Sequence, residues 1–185
     1  LSVRVYRGGT LASAGHNHLV ASHTLVGTVY VPDDVLKASV ELHLAVTELT
    51  VDEPELRAQE GGGDFPPGVP QSARDGTRRN MLGYAVLDAA EYPEIVLRSE
   101  RLEPAAAPGG LTAYLDAQVR DQHRAISVPL SWELAGNTLT LTGETALRQS
   151  ELGLTPFTAL MGALAVQDEM RVRFRIVARA AGGAR

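Results

Sequence analysis

Two histidines stand one residue apart near the start of the chain, in Ser13-Ala14-Gly15-His16-Asn17-His18. If that stretch is extended, residues i and i+2 share a face, with Cα atoms about 6.5 to 7 Å apart at ~3.3 Å per residue. Two imidazoles so placed can begin a metal site, move a proton, or add a hydrogen-bonding patch to a pocket. Catalytic zinc takes three protein ligands and structural zinc four. The remaining candidates, His23, His43, His123, Glu41 and Asp116, are scattered along the chain, and spacing alone does not bring them together. Nucleophilic catalysis has less behind it. There is no Gly-x-Ser-x-Gly elbow, and Ser13 near His16 has no motif placing an acid behind the base. Gly61-Gly62-Gly63 is followed by Asp64 and Phe65 rather than by Lys and a hydroxyl residue, so it reads as a flexible loop and not a phosphate cradle. The row Arg171, Arg173, Arg175 and Arg179 can face an anion, but such rows more often pair with acids on a neighbouring strand.

The elements that would hold these groups speak mostly in period two, the spacing of a half-buried strand. Leu111, Ala113, Leu115, Ala117 and Val119 alternate with polar residues, as do Ile126, Val128, Leu130, Trp132 and Leu134 up to the turn formers Gly136-Asn137. Leu139, Leu141 and Leu147 continue the pattern, and Met170, Val172, Phe174 and Ile176 close it. Thr24 to Val31 and Ile95 to Leu102 read as further strands, with short ones at Val3 to Arg7 and around the histidine pair. In Val40, Leu42, Leu44, Val46, Leu49 and Val51 the alternation slips from even to odd, which suggests a bulge bending a long strand. About eight strands joined by short turns make an antiparallel barrel or sandwich. Residues 52–71 form a long Gly-, Pro- and acid-rich loop. One helix is expected within residues 72–88, with Ser72 to Asp75 resembling a capping box. The apolar run Leu152 to Val166 is too short to span a bilayer and too apolar to lie exposed, so it should cover the core or a cavity mouth.

Composition bounds the rest. The 185 residues suit one domain spanning the whole chain. Hydrophobic residues are 44% and charged residues 21%, as in soluble globular proteins, and no transmembrane stretch is present. A net charge of -5 argues against nucleic acid as a partner. The lack of cysteine removes disulfides, thiolate metal sites and cysteine nucleophiles. Aromatic residues are only 5%, and the inward positions are Leu, Val and Ala, which fill a barrel less completely than Phe and Trp. A barrel of about eight strands either packs solid or holds one elongated ligand, and an aliphatic lining favours an aliphatic ligand. Periodicity does not choose between a packed and a hollow interior.

Two blocks carry a resemblance. Ala73 to Glu103, "ARDGTRRNMLGYAVLDAAEYPEIVLRSERLE", resembles the helix, Tyr-Pro turn and strand of the YceI-like family of lipocalin-like polyisoprenoid-binding bacterial proteins. Gly143 to Arg179, with Arg148-Gln149-Ser150 ahead of Gly153 and the apolar run, is similar to that family's C-terminal signature. The resemblance covers nearly the whole chain, and its specificity lies in the order of the two blocks. It departs from better-known members at Gly15-His16-Asn17-His18 and at Asp121-Gln122-His123-Arg124, which marks a divergent branch.

The resemblance implies an eight-stranded antiparallel lipocalin-like barrel with one main helix and a short helical cover segment. It further implies an elongated apolar pore and an amphiphilic or isoprenoid-tailed ligand. The expected inward set is Leu42, Leu44, Val46, Leu115, Val128, Leu130, Leu141, Met170, Val172 and Phe174, with Phe157 and Leu160 covering one opening. On the first strand His16 and His18 would add a polar patch that orients a ligand head group, with no tightly held metal, no cofactor and no catalysis. A metal- or haem-binding protein using the two histidines, or a hydrolase, is the alternative. The expected partner is an apolar, lipid-like small molecule, and a homodimer is allowed. The chain opens at Leu1 rather than Met, which fits a cleaved secretion signal and, with the resemblance, the bacterial periplasm.

Overall fold

The computed structural model describes residues 1–180. Apolar alternation dominates them, and they form one curled antiparallel sheet. In chain order its strands are β1 (Ser2–Gly8), β2 (His18–Ala21), β3 (Val26–Tyr30), β4 (Ser39–Ala45), β5 (Thr50–Val51) and β6 (Glu94–Pro104). These are followed by β7 (Gly110–Val119), β8 (Gln122–Ala135), β9 (Thr138–Arg148), β10 (Thr158–Ala159) and β11 (Leu164–Arg179). The hydrogen-bonded order is β3-β4-β6-β7-β8-β9-β11-β1-β2-β5, with β10 added beside β11. The count is therefore eleven rather than eight. Two of the additional strands are the very short β5 and β10, whose two residues each leave no periodic trace in the sequence.

Sheet neighbours are set by tight turns. Gly136, with φ of 57°, and Asn137 join β8 to β9, while Arg120, with φ of 56°, and Asp121 join β7 to β8. Along β7 the burial alternates without a break: Leu111, Ala113, Leu115, Ala117 and Val119 are buried and their neighbours are not. The arginines of β11 point outward, and Arg173 meets Glu144 across the β9 pairing at 2.9 Å, as such a row ordinarily does. Pairing shifts between Val5 and Arg7 and between Ser99 and Arg101 bend the sheet.

The slip expected as a bulge beyond Val46 is something else. β4 ends at Ala45, Val46–Glu48 form one 3-10 turn, and β5 then pairs with β2 at the opposite margin of the sheet. The chain has crossed the barrel end, and the change of parity is the signature of that crossing. The 52–71 segment holds a short helix, α1 (Pro54–Gln59), started by the proline at its first position. The main helix, α2, is Gln71–Leu82. Its N-cap is Pro70, with no side-chain cap, so the capping-box reading at Ser72 does not hold; Gln71 Nε2 instead donates to Asp75 Oδ1 at 2.6 Å. Residues 83–89 are turns. None of the helices described is long and apolar enough to cross a membrane.

Two apolar clusters fill the shell. The larger joins Val20, Leu44, Val46, Leu49 and Val51 to Val86, Leu87, Val119, Leu152 and Leu154, with Met81 and Leu82 of α2 packed on it. It closes the end of the barrel beside the β7–β8 turn. The smaller, Ala113, Leu115 and Val128 with Leu102, Leu130 and Phe174, lies toward the other end, where Leu134 is 53% exposed.

Candidate functional site

The sheet curls around a partly open cavity of about 410 Å³, lined by members of both clusters. Strand geometry makes the wall: inward residues of β4, β6, β7, β8, β9 and β11 present Leu, Val, Ala, Ile, Met and Phe side chains, and α2 closes over them with Thr77, Asn80 and Met81. Leu130, Leu141, Met170, Val172 and Phe174 point inward yet are only half-buried, because they face this space rather than one another. The interior is hollow. The polar side chains on the wall are His18, Thr77, Asn80, Thr145 and Gln149. Gln149 is spoken for, its Nε2 donating to the Gln167 carbonyl at 2.8 Å.

His18 is held from behind. It opens β2 opposite Val5, and its Nδ1 lies 2.6 Å from Oδ2 of Asp52, whose side chain is fully buried. Asp52 Oδ1 accepts the backbone N–H of Leu19 at 2.8 Å and Nη1 of Arg57 at 2.5 Å. Arg57, itself only 2% exposed, also donates to the carbonyls of Asn17 and Pro66. Burial pushes the Asp52 carboxyl up, but the donors on its two oxygens outweigh it and hold the group below the usual carboxylate value. A carboxylate behind Nδ1 fixes the tautomer with the proton on Nδ1, which leaves Nε2 to accept. Its partner is the Thr77 hydroxyl on α2, at 3.3 Å. Asp52 has φ of 53°, a conformation costly for a non-glycine residue, and it buys the turn that brings β5, α1 and β2 to one point.

Of the residues expected from the sequence, His18, Leu42, Leu44, Leu115, Val128, Leu130, Leu141, Phe157, Met170, Val172 and Phe174 lie on the cavity wall. Three do not. His16 precedes β2 in an irregular segment, so the shared face of an i, i+2 pair is never formed; it is exposed, its ring 6.2 Å from that of His18 and centred outside the wall. Val46 is 1% exposed in the closing cluster, because the chain turns at that residue. Leu160 is 65% exposed at a turn and covers nothing. Among the described residues no three of His, Cys, Asp and Glu gather as ligands for one ion. Sequence reasoning missed Thr77, Asn80, Asp52 and Arg57. A signal existed only for the last pair, an Asp and an Arg inside a segment otherwise reading as loop.

A model of the YceI-like domain matches residues 10–178. A sequence search of curated proteins finds no match. Among solved structures, Burkholderia cenocepacia BcnA superposes with a TM-score of 0.67 at 15% identity, covering 96% of this chain and 95% of that one. A YceI protein of Campylobacter jejuni gives 0.61 at 5% identity over 88% of this chain and 84% of that one. A polyisoprenoid binding domain from Saccharophagus degradans, implicated in plant cell wall breakdown, gives 0.54 at 10% identity over 97% and 94%. At these identities the superpositions speak for the fold.

Proposed function

The chain belongs to the YceI-like family, and from that premise we propose that it binds one long apolar molecule, with an isoprenoid or fatty-acyl tail, and carries or sequesters it unchanged in the bacterial periplasm. The observation that carries the reading is a hollow, aliphatic interior with one polar corner at His18, Thr77 and Asn80. The tail lies along Leu115, Val128, Leu130 and Phe174. A small polar head bonds at the corner, where the locked imidazole orients the Thr77 hydroxyl. The ligand named for the Saccharophagus domain agrees with this chemistry. A pocket of this kind orients its ligand with few polar groups and takes most of its affinity from apolar contact. Native mass spectrometry of the protein purified from its own host tests the reading. A bound apolar mass, released by solvent and restored by adding it back, is expected; an empty protein that takes up no isoprenoid or acyl probe refutes it.

One arrangement favours a second reading, ester hydrolysis: Thr77, His18 and Asp52 stand in the order hydroxyl, imidazole, carboxylate. Against it, Thr77 lies inside α2, where the backbone N–H groups are used by the helix and none is free to receive an oxyanion. Turnover of long-chain esters that Thr77→Ala abolishes would establish it.

A further inference from the structure

The hairpin made by β10 and the start of β11 has two very different ends. Its base is cavity wall, since Phe157 and Val166 line the space and are joined by the Val166 N–H to the Phe157 carbonyl at 2.9 Å. Its tip is the opposite. Leu160 is 65% exposed and Met161 is fully exposed, and Leu160, Met161 and Gly162 all have positive φ, at 50°, 54° and 86°. That backbone is unfavourable for leucine and methionine; it closes the hairpin turn, where the Ala163 N–H donates to the Leu160 carbonyl at 3.2 Å, and leaves both side chains unburied. A second segment is clamped against the tip. The Leu11 N–H donates to the Ala163 carbonyl at 2.8 Å, and Gly9 passes so close that a Cβ there would stand 2.4 Å from the same oxygen. Leu11 is 47% exposed beside it.

We propose that Leu11, Leu160 and Met161 form a finger that inserts into the surface of a lipid bilayer. Three observations choose a bilayer over another protein. Both segments lack Asp, Glu, Lys and Arg from Gly8 to Pro32 and from Leu152 to Gln167, so neither carries one of these charges into the bilayer at the tip, and Arg7, turned back to the Gly15 carbonyl, stands at the root of the first. The tip offers three large exposed side chains, far less than the roughly 800 Å² per partner of a stable protein interface, but enough for shallow insertion. The same hairpin runs from the tip to the cavity wall, which puts the docked surface next to the ligand space. This last point rests on the carrier reading, since an isoprenoid or acyl cargo has its reservoir in membranes; the first two do not.

The test is flotation with vesicles of phosphatidylcholine, alone and mixed with phosphatidylglycerol. The wild-type protein is expected to float with vesicles. Leu11→Ser with Met161→Ser should lower the partition at least about ten-fold, as follows from withdrawing two apolar side chains from hydrocarbon. The variant's melting temperature and its uptake of a fluorescent apolar probe in solution should be unchanged. The chain has no cysteine, so Met161→Cys carrying an environment-sensitive dye is an independent readout, with a blue shift expected on vesicle addition. A wild type that stays in the aqueous phase, a dye that does not shift, or a concentration-dependent dimer that the double substitution abolishes would each overturn the proposal. Vesicle binding with no probe uptake would uphold the finger and remove the carrier.

Discussion

Substituting Val128 by Trp tests the hollow interior quantitatively. Val128 sits at mid-wall, 7% exposed, in the cluster with Ala113 and Leu115. A dry protein cavity of about 150 Å³ accommodates one benzene, so on that scale 410 Å³ holds a tail of about sixteen carbons. Each buried methylene is worth about 0.8 kcal/mol, roughly four-fold in affinity, until the space is full. Calorimetric titration with alkanols or acyl chains of increasing length should therefore show affinity climbing by about that factor per carbon and levelling near sixteen. The indole adds about one ring's bulk and should move the plateau down by about six carbons, costing a sixteen-carbon ligand about 5 kcal/mol while shorter ligands keep their affinity. Overpacking strain of about 1–3 kcal/mol is present with or without a ligand, so it appears in stability and does not imitate a shifted plateau. Length-independent affinity in the wild-type protein, or a Val128→Trp variant with an unmoved plateau, would refute the placement of the tail.

Removing the Asp52 side chain leaves Arg57 buried without its carboxylate, so Asp52→Ala should cost about 3–5 kcal/mol in denaturant unfolding. Because the Asp52 pKa is depressed on folding, its stabilisation is complete above the unfolded value of 3.8 and is lost as pH falls through the folded value; the wild-type melting temperature should drop in that acid range, and less steeply with Asp52→Asn. His43 lies between carboxylates, with Nδ1 3.0 Å from Glu94 and Nε2 2.8 Å from Glu41, and the Glu94 bond, followed by the Glu41 bond, raises its pKa above 6.5. The stability these pairs add is present in full below 6.5 and vanishes as pH rises through the folded value, so an NMR titration of His43 should have its midpoint above 6.5 and fall with Glu94→Gln. Gly143 faces Phe174 across β9 and β11, and a Cβ there would stand 2.5 Å from the ring; Gly143→Ala should cost about 1–3 kcal/mol by chemical denaturation and push the ring into the cavity, weakening long ligands first.

Much of the wall was legible from the sequence because its signal is local. Alternation in β7, β8, β9 and β11 names the inward residues directly, and a strand has only two faces, so Leu115, Val128 and Val172 follow from parity. What failed is whatever depends on where a chain crosses or turns. Val46 keeps the parity of β4 but lies past its last residue, and His16 keeps the parity of His18 but lies before its first. Leu160 is apolar within an apolar run, and its exposure comes from two left-handed residues that no composition rule foresees. Asp52 and Arg57 were hidden for a related reason. Their meeting with His18 spans 34 residues and depends on β5 leaving β4 for the far margin of the sheet. Thr77 and Asn80 reach the cavity because α2 lies across it, which the pattern of a mostly polar helix does not announce.

The margins of the sheet set a mechanical property. β3 is bonded to β4 on one side and β5 to β2 on one side; among the described residues no strand bonds to their free edges, and Val26 and Tyr30 of β3 stand 64% and 66% exposed. In a closed barrel, girth is fixed by strand number and stagger. Here the curled sheet is left open, with β3 and β5 at its two margins, and Leu25, just before β3, packs on the closing cluster. A margin strand is held by one ladder of hydrogen bonds where an interior strand is held by two. Opening at the margin therefore breaks fewer bonds than opening at mid-sheet, and amide exchange in β3 should run ahead of that in β7, which is paired on both sides.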